Sequence, residues 1–323
     1  MQMTYLEAIA DALRVEMRRD ERVFMIGEDI GTYGGAFKLT KGFLDEFGPS
    51  RVIDAPISEA AIIGASIGAA LNGMRPVAEM QFMDFVTNGF NQIVTVAGTT
   101  AYRWAIPVPM VVRGPSGGGV GANPFHSRNS EAWFVHATGI KVVCPAFPDD
   151  AKGLMMASIR DNDPVVFYEH KGLYRKIKGE VPEGEYIVPL GKARVVREGS
   201  DVSVICYGSA VHMALAAAEA VASEGINVEV VDIRTLVPFD EETVLASVRK
   251  TGRAVVAHEA VLTGGFGGEI AARIADKAFS FLDAPVKRVA AFDAPTPFAP
   301  TLEQAVLPNS DIIANTIRAT CSF

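Results

Sequence analysis

Cysteine is scarce in this chain. Three cysteines, Cys144, Cys206 and Cys321, are spread over 323 residues, and the first two lie in apolar, strand-like segments. An odd number of distant cysteines is typical of buried reduced thiols and argues against a disulfide framework or a zinc site. Positive charge is scarce as well, since the formal net charge is −8 and no lysine or arginine cluster stands out. This balance argues against nucleic acid as a partner.

Long apolar runs are also missing. The longest, from Ala60 to Leu71, contains Ser66 and is shorter than the ~20 residues that a membrane-spanning helix needs. Residues 1–23 show helical spacing of apolar side chains, not the uninterrupted apolar block of a secretion signal. We therefore expect a cytoplasmic protein with no membrane partner.

The common self-contained catalytic motifs are absent. The chain has no Walker A sequence, no Gly-x-Ser-x-Gly elbow and no His-Glu-x-x-His. TGGFGGE at 263–269 departs from the GxGxxG spacing, so it predicts a strand-to-helix turn rather than a dinucleotide site. Four histidines, His136, His170, His212 and His258, have no zinc-ligand spacing and give no other signal of function.

Short β-rich segments alternate with helical patterns along most of the chain, which predicts parallel sheets with helices on both faces. The charged, Gly/Pro-punctuated stretch 170–200 interrupts this rhythm and is interpreted as an ordered linker. The chain is also too long for most single cores, so we expect two α/β domains, 1–188 and 189–323.

The predicted strands are 23–27, 76–80, 108–114, 140–145, 164–169, 201–208, 226–233, 253–260 and 286–293. The predicted helices of the first half are 59–72, 86–99 and 150–160, after an amphipathic helix at the start of the chain.

A single carboxylate, Glu59, opens the small-residue segment PISEAAIIGASIGAALNG. Ser58 is a natural N-cap, which places Glu59 in the first turn of a helix. There the helix dipole stabilises a carboxylate by roughly 0.3–1 kcal/mol, which alone could explain the residue. The recurrence of Ala60, Gly64 and Gly68 offers a flat stripe on which another subunit could pack closely. Glu59 would then be buried at an interface, where a carboxylate needs a partner such as a ligand.

A glycine-rich loop, RGPSGGGVGANPFHSRNSEAW (113–133), presents His126, Ser127 and Arg128 before a helix that begins near Ser130. Its glycines permit backbone angles that other residues avoid and allow a ligand to come close. A histidine on such a loop indicates a functional site, and an ordinary surface turn is the alternative.

Other candidates follow the ends of predicted strands. Glu28 stands where open α/β sheets place ligand-binding groups, although with Asp29 it could simply form a turn. Phe82 and Phe85 follow the next strand in EMQFMDF, where aromatic residues more often belong to the core than to a ligand platform.

Several segments together resemble the β subunit of the E1 component of 2-oxo acid dehydrogenase complexes. The resemblance runs in consistent order from about residue 4 to the C-terminus. The segments that carry it include GEDIGTYGGAFKLTKGF, RVIDAPISEAAIIGASIGAALNGMRPVAEMQF, HSRNSEAWFVHATGIKVVCPAFPDDAKGL, VVDIRTLVPFDEETVLASVRKTGR, HEAVLTGGFGGEIAARI and LDAPVKRVAAFDAPTPF.

The resemblance implies a thiamine-diphosphate enzyme with a pyrimidine-binding domain and a transketolase-type C-terminal domain. It also implies a partner α subunit in an α₂β₂ heterotetramer, which holds Mg²⁺ and the diphosphate through a Gly-Asp-Gly motif. This sequence contains no Gly-Asp-Gly, so it should supply only the pyrimidine half of the cofactor site. The implied further partner is the E2 acyltransferase, through its lipoyl domain and through a basic subunit-binding domain that docks on the C-terminal domain.

The resemblance also assigns roles to residues. Glu59 matches the glutamate that hydrogen-bonds N1′ of the aminopyrimidine and favours its imino form. Phe85 matches an aromatic residue stacked near the ring, and Ile57 and Gln81 fall at cofactor-contact positions. Glu28 matches the acid beside the ring-binding glutamate. His126 matches a histidine of the active-site channel that assists acyl transfer to the lipoyl group.

A structural potassium ion is also implied, held mainly by backbone carbonyls. The aligned positions are Met110, Ser158, Ile159, Asp161 and Asp163. The chain departs from the family pattern at Arg128, where glutamine is usual, and at Asn91, where aspartate is usual. The expected substrate is pyruvate or a branched-chain 2-oxo acid. An acetoin-cleaving enzyme is one alternative, and a non-catalytic scaffold that keeps the fold and the subunit interfaces is another.

Overall fold

The computed structural model describes the whole chain, Met1–Phe323. It divides into two compact units. Unit 1 comprises Met1–Ser116 and Trp133–Leu190, and unit 2 comprises Gly117–Ala132 and Gly191–Phe323. Of the glycine-rich stretch 113–133, residues 117–132 therefore belong to unit 2, whereas residues 113–116, which end a strand, and Trp133 belong to unit 1.

Unit 1 is built on a parallel sheet in which the strands run in the order β6-β7-β5-β4-β2-β3. A separate antiparallel pair joins β1 to β8. The strands are β1 (Gln2–Thr4), β2 (Val23–Gly27), β3 (Val52–Asp54), β4 (Arg75–Glu79), β5 (Val111–Ser116), β6 (Lys141–Val143), β7 (Val165–His170) and β8 (Lys178–Glu180). The helices are α1 (Tyr5–Arg19), α2 (Phe43–Phe47), α3 (Glu59–Leu71), α4 (Gly98–Trp104), α5 (Glu131–Val135), which spans the division between the units, and α6 (Pro148–Arg160).

The first helix shows how the local sequence determines an element. Thr4 and Glu7 form a capping box, in which each side chain accepts a hydrogen bond from the backbone N–H of the other residue. The predicted apolar face is buried: Ile9, Leu13 and Met17 are fully inaccessible and belong to the core shared with α6. The N-terminal amphipathic helix is thus confirmed, as are the helices predicted at 59–72 and 150–160.

The helix predicted at 86–99 is wrong in detail. The chain forms a 3₁₀ helix at Met83–Gly89, a π-helical segment at Gln92–Ala97 and only then α4. At Gly89 the backbone passes so close to α3 that a Cβ atom would lie 2.8 Å from Cγ1 of Ile63. Such close packing between distant segments overrides the local helical period, and the irregular turns accommodate it.

Unit 2 is a second α/β layer structure. Its sheet has the order β14-β13-β10-β11-β9, parallel except for the antiparallel edge strand β9. The strands are β9 (Arg194–Arg197), β10 (Val202–Cys206), β11 (Val228–Asp232), β12 (Thr235–Val237), β13 (Ala254–Val261) and β14 (Lys287–Ala291). The helices are α7 (Ser209–Ala222), α8 (Glu241–Thr251), α9 (Phe266–Lys277), α10 (Pro300–Val306) and α11 (Ser310–Cys321), with a 3₁₀ turn at Phe279–Phe281.

TGGFGGE forms the predicted turn between β13 and α9. The stretch 170–200, interpreted as a linker, begins with the last residue of β7 and also contributes two short strands, β8 and β9, which pair with β1 and β11. Cys144 and Cys206 are buried free thiols, as expected, and Cys321 is a half-buried one. None of the helices combines the length and the apolar character needed to cross a bilayer.

Candidate functional site

Two buried carboxylates lie at the carboxyl ends of neighbouring parallel strands in unit 1. Glu28 directly follows β2, and Glu59 begins α3 shortly after β3 ends. Each residue is only 7% exposed. Burial raises the pKa of Glu28, and the negative charges of Glu59 and Asp29 raise it further. A buried carboxylate at this edge of the sheet is a strong hydrogen-bond acceptor for a ring nitrogen that carries a proton.

Glu59 is held by a residue that the sequence does not point to. Asn88, in the 3₁₀ helix, donates a hydrogen bond from Nδ2 to Oε2 of Glu59, with a donor–acceptor distance of 3.1 Å. The two residues are 29 positions apart, and no local pattern links them. The expected cap is only partly right, since Ser58 occupies the N-cap position but its side chain makes no capping hydrogen bond.

The remaining predicted cofactor contacts follow β4 or precede α3 in the chain. Gln81 follows β4, and its Nε2 lies 3.4 Å from Oδ2 of Asp29. Phe85 packs edge-on against Phe82, with ring centroids 6.2 Å apart. Ile57 is 84% exposed immediately before α3. The carboxyl ends of β2, β3 and β4 therefore present carboxylates together with aromatic and aliphatic groups.

A buried charge cluster lies at the ends of the adjoining strands. The guanidinium of Arg113 on β5 binds the carboxylates of Glu79 on β4 and Glu169 on β7, the latter through two nitrogens. The hydroxyl of Tyr174 donates to Oε2 of Glu169 at 2.7 Å. Burial raises the pKa of Glu79 despite the neighbouring guanidinium. Burial opposes the charge of Arg113, but the two carboxylates hold its pKa well above the usual value.

Aromatic side chains connect this cluster to the predicted cofactor contacts. Phe37 packs edge-on against Tyr174 at 5.1 Å and against Phe82 at 5.7 Å, measured between ring centroids. Phe82 in turn contacts Phe85. Through these ring contacts, the buried charge cluster helps to hold Phe85 in place. Sequence reasoning missed it, although a charged residue within each of three strand-like segments was an available signal.

His126 lies half-buried in the loop of unit 2. Its Nδ1 is 3.4 Å from Oδ1 of Asn123, which also accepts the backbone N–H of Phe125 at 2.9 Å. Ser127 is 2% exposed, and its hydroxyl has no hydrogen-bond partner within the chain. The helix expected after the loop is confirmed as α5, which begins at Glu131.

Comparison with known proteins identifies the family. Residues 1–176 match the transketolase pyrimidine-binding domain, and residues 191–313 match the transketolase C-terminal domain. The chain is 47% identical to the 2-oxoisovalerate dehydrogenase subunit beta of Bacillus subtilis (strain 168), with 99% of each chain covered. It belongs to the E1 β-subunit family of 2-oxo acid dehydrogenases.

Other relatives agree with this assignment. The pyruvate dehydrogenase E1 component subunit beta of the same organism is also 47% identical, over 100% of this chain and 99% of its own. A Staphylococcus epidermidis subunit of the same name is 45% identical. A solved structure described as an inactive β4 tetramer of a split-gene transketolase has a TM-score of 0.78 at 22% identity, covering 99% of this chain and 98% of its own. The expected family and transketolase-like α/β fold are confirmed.

The cation positions expected from the E1 β family lie around the C-terminus of α6. Ser158 and Ile159 are in its last turn, and Asp161 is its C-cap. Carbonyl oxygens at the negative end of a helix are the kind of ligand that potassium takes. Positive charge is already present, because Nη1 of Arg75 donates to the carbonyls of Ile159 at 2.9 Å and of Asp161 at 2.8 Å.

The acidic side chains at the same place are also paired. Nζ of Lys141 lies 2.7 Å from the carboxylate of Asp161 and 3.1 Å from that of Asp163. Met110 directly precedes β5, and its carbonyl accepts the N–H of Val165 at 2.9 Å. Arg75, Lys141 and a backbone N–H therefore already bind most of the oxygens at these positions, and the potassium site stays a prediction.

His258 differs from the ordinary histidine that the sequence suggests. It is fully buried on β13, and neither ring nitrogen makes a hydrogen bond of normal geometry. Its ring stacks on Tyr207 with an interplanar angle of 9°. The first turn of α9 packs closely against the same ring, since a Cβ atom on Gly267 would lie 2.4 Å from Cδ2. Burial, assisted by the charge of Arg288 and only weakly opposed by the backbone of Ala260, lowers the pKa of His258 to about 4.

The stability of the protein should therefore fall in mild acid. The unfolded chain binds a proton at this histidine below about pH 6.5, whereas the folded chain does so only near pH 4. The contribution of the neutral His258 to the unfolding free energy is thus complete above pH 6.5 and is lost as the pH falls towards 4. Lowering the pH from 7 to 5 should therefore reduce the unfolding free energy of the wild type by about 2 kcal/mol.

Urea unfolding at both pH values tests this expectation. His258→Phe keeps an aromatic ring against Tyr207 but cannot bind a proton, so its unfolding free energy should change less with pH. His212→Gln replaces a half-exposed histidine on α7 and serves as the matched control, which should keep the wild-type dependence. If the unfolding free energies of His258→Phe and the wild type depended equally on pH, the lowered pKa of His258 would be contradicted.

Proposed function

We propose that this chain is the β subunit of an E1 enzyme that oxidatively decarboxylates a 2-oxo acid and transfers the acyl group to a lipoyl group of E2. The substrate is pyruvate or a branched-chain 2-oxo acid, in line with the names of the two Bacillus subtilis relatives. The observation that carries the proposal is the buried pair of Glu28 and Glu59 at the strand ends of a pyrimidine-binding domain.

The residues present fit the pyrimidine half of thiamine diphosphate. Glu59 keeps the oxygen not bonded by Asn88 for a ring nitrogen. It would hold the proton at N1′, and the raised pKa of Glu28 would disfavour a second negative charge beside it. Phe85, Ile57 and Gln81 would contact the ring. Thiamine diphosphate, when bound, supplies the nucleophilic carbon and the electron sink that decarboxylation requires.

His126 would act on the second part of the reaction. An imidazole can move a proton or stabilise charge as the acyl group passes to the lipoyl sulfur. The contact of Nδ1 with Oδ1 of Asn123 at 3.4 Å helps to orient the ring for this role. Arg128, exposed on the same loop, would add positive charge for the carboxylate of the substrate.

Other subunits complete the proposed enzyme. We assign Mg²⁺ and the diphosphate to a partner α subunit in an α₂β₂ heterotetramer, because this chain contains no Gly-Asp-Gly. The stripe of Ala60, Gly64 and Gly68 supports a close subunit contact, since a Cβ atom added at either glycine would meet nothing within 4 Å. E2 is the second partner, and the net charge of −8 suits its basic subunit-binding domain.

A substrate panel on the co-expressed α and β subunits tests the proposal. We expect dye-coupled decarboxylation of pyruvate or of a branched-chain 2-oxo acid and reductive acylation of a lipoyl domain. Acetoin is included because its turnover alone would replace the proposed substrate class. Assays in K⁺ and in Na⁺ at equal ionic strength test the predicted cation site. If none of the substrates is turned over, the non-catalytic scaffold is the correct reading.

A further inference from the structure

Two buried carboxylates hold the loop that carries His126. The loop 117–129 is closed at its base by a hydrogen bond from the N–H of Gly117 to the carbonyl of Arg128, at 3.4 Å. Glu259 on β13 and Glu303 on α10 are 7% and 4% exposed, and both belong to unit 2, as the loop does. Neither has a role among the predicted site residues.

Glu259 binds both ends of the loop. Its Oε1 accepts the N–H of Gly118 at 2.7 Å and Nδ2 of Asn129 at 2.9 Å. Its Oε2 accepts the hydroxyl of Ser209, the first residue of α7, at 2.7 Å. One carboxylate therefore ties the beginning and the end of the loop to the secondary structure of unit 2.

Glu303 binds the glycine segment between these ends. Its Oε1 accepts the N–H of Gly119 at 2.9 Å, and its Oε2 accepts the N–H of Gly121 at 3.0 Å. Both glycines have positive φ angles, 79° and 69°, which other residues rarely adopt. The unusual backbone turns two N–H groups towards one carboxylate, and a charged acceptor makes these bonds stronger than neutral ones.

The glycine segment bound by Glu303 continues directly to His126. Asn123, also at a positive φ of 63°, accepts the backbone N–H of His126 through its carbonyl at 3.3 Å and contacts Nδ1 through its side chain. The position of the imidazole thus depends on a backbone that is fixed at both ends by Glu259 and in its first half by Glu303.

We propose that Glu303 and Glu259 are positioning residues for His126, whose buried carboxylates fix the loop 117–129 and so place the imidazole for acyl transfer. The inference rests on the proposed function for the role of His126, but the carboxylate–amide contacts are independent of it.

Two variants test this inference in the full chain and in the complex with the α subunit. Glu303→Gln keeps the shape but turns an NH₂ group towards one of the two backbone N–H donors. Asn129→Ala removes only the bond from the end of the loop to Glu259 and affects a half-exposed residue. Asp311→Asn removes an exposed acid from the first turn of α11 and is the matched control.

The readouts separate positioning from a general loss of structure. Losing one charge-assisted bond should increase amide hydrogen exchange at Gly119 and Gly121 in Glu303→Gln by about 10-fold. The kcat for lipoyl acylation should fall by a similar factor in Glu303→Gln, and less in Asn129→Ala. The kcat of dye-coupled decarboxylation at saturating 2-oxo acid, a step to which the proposal gives His126 no part, should stay within about twofold of the wild type, so that any weaker substrate binding through Arg128 shows only in KM. Asp311→Asn should match the wild type throughout.

Two outcomes would overturn the proposal. Unchanged exchange in Glu303→Gln would show that the carboxylate does not hold the loop. An equal fall in both rates would show a general structural role rather than placement of His126. If the wild-type complex turns over no substrate, the proposed function fails, while the exchange measurement still tests whether Glu303 holds the loop.

Discussion

Replacing Glu59 by glutamine should lower the turnover of the reconstituted enzyme by about 10²–10⁴-fold, the range found when a positioned proton-transfer group is lost. This corresponds to about 3–5 kcal/mol in the activation barrier. The amide has the same shape and can still interact with Asn88, but it cannot share a proton with a ring nitrogen as a carboxylate does. Steady-state decarboxylation with saturating cofactor measures the effect.

The control for Glu59→Gln is Glu242→Gln. Glu242 is an exposed acid in the first turn of α8, so both variants remove a carboxylate from the N-terminus of a helix. The helix dipole effect on stability should be no more than about 1 kcal/mol for Glu59. Both variants should therefore fold, and Glu242→Gln should keep full activity. Full activity in Glu59→Gln would rule out the role assigned to Glu59.

Replacing Arg113 by methionine should destabilise the protein by about 3–5 kcal/mol, because two buried carboxylates would lose their common cation. Glu79 is 5% exposed and Glu169 is fully buried, so neither can recover its hydration. The loss should show as a lower urea midpoint of unfolding. We also expect lower activity, since Tyr174 and the aromatic contacts leading to Phe85 depend on Glu169.

The destabilisation of Arg113→Met should depend on pH in a definite direction. Burial already raises the pKa of Glu79, a carboxyl group of the cluster, and without the guanidinium that rise is no longer opposed. Such groups favour the folded state at low pH and oppose it as the pH rises. The loss of unfolding free energy in Arg113→Met, relative to the wild type, should thus be larger at pH 8 than at pH 5.

Arg318→Met is the matched control for this variant. Arg318 pairs with Glu224 at 2.7 Å on the surface, and both side chains are about 40% exposed. Exposed ion pairs contribute little to stability, so its urea midpoint should stay close to that of the wild type. Equal midpoints for Arg113→Met and Arg318→Met would mean that the buried cluster has no structural role.

Local sequence patterns predicted the regular parts of this protein well. Helical spacing and a capping box determine α1, and apolar β-rich segments followed by turns determine β2, β4 and β7. They also placed Glu28 and Glu59 at strand and helix ends, where parallel sheets gather functional groups. The roles of Glu59 and His126 and the domain boundary at 188/189 stay predictions, since they depend on a ligand, on partners and on chain division rather than on local pattern.

Only the tertiary structure decided which side chains from distant segments bind each other. The pairing of Asn88 with Glu59, of Arg113 with two glutamates, and of Glu303 with the glycine backbone joins residues 29, 34, 56, 184 and 182 positions apart. A sequence pattern reports the period and the ends of one element, because these depend on hydrogen bonds between near neighbours. A buried charge or an irregular helix instead reflects what packs against it, which only the folded chain specifies.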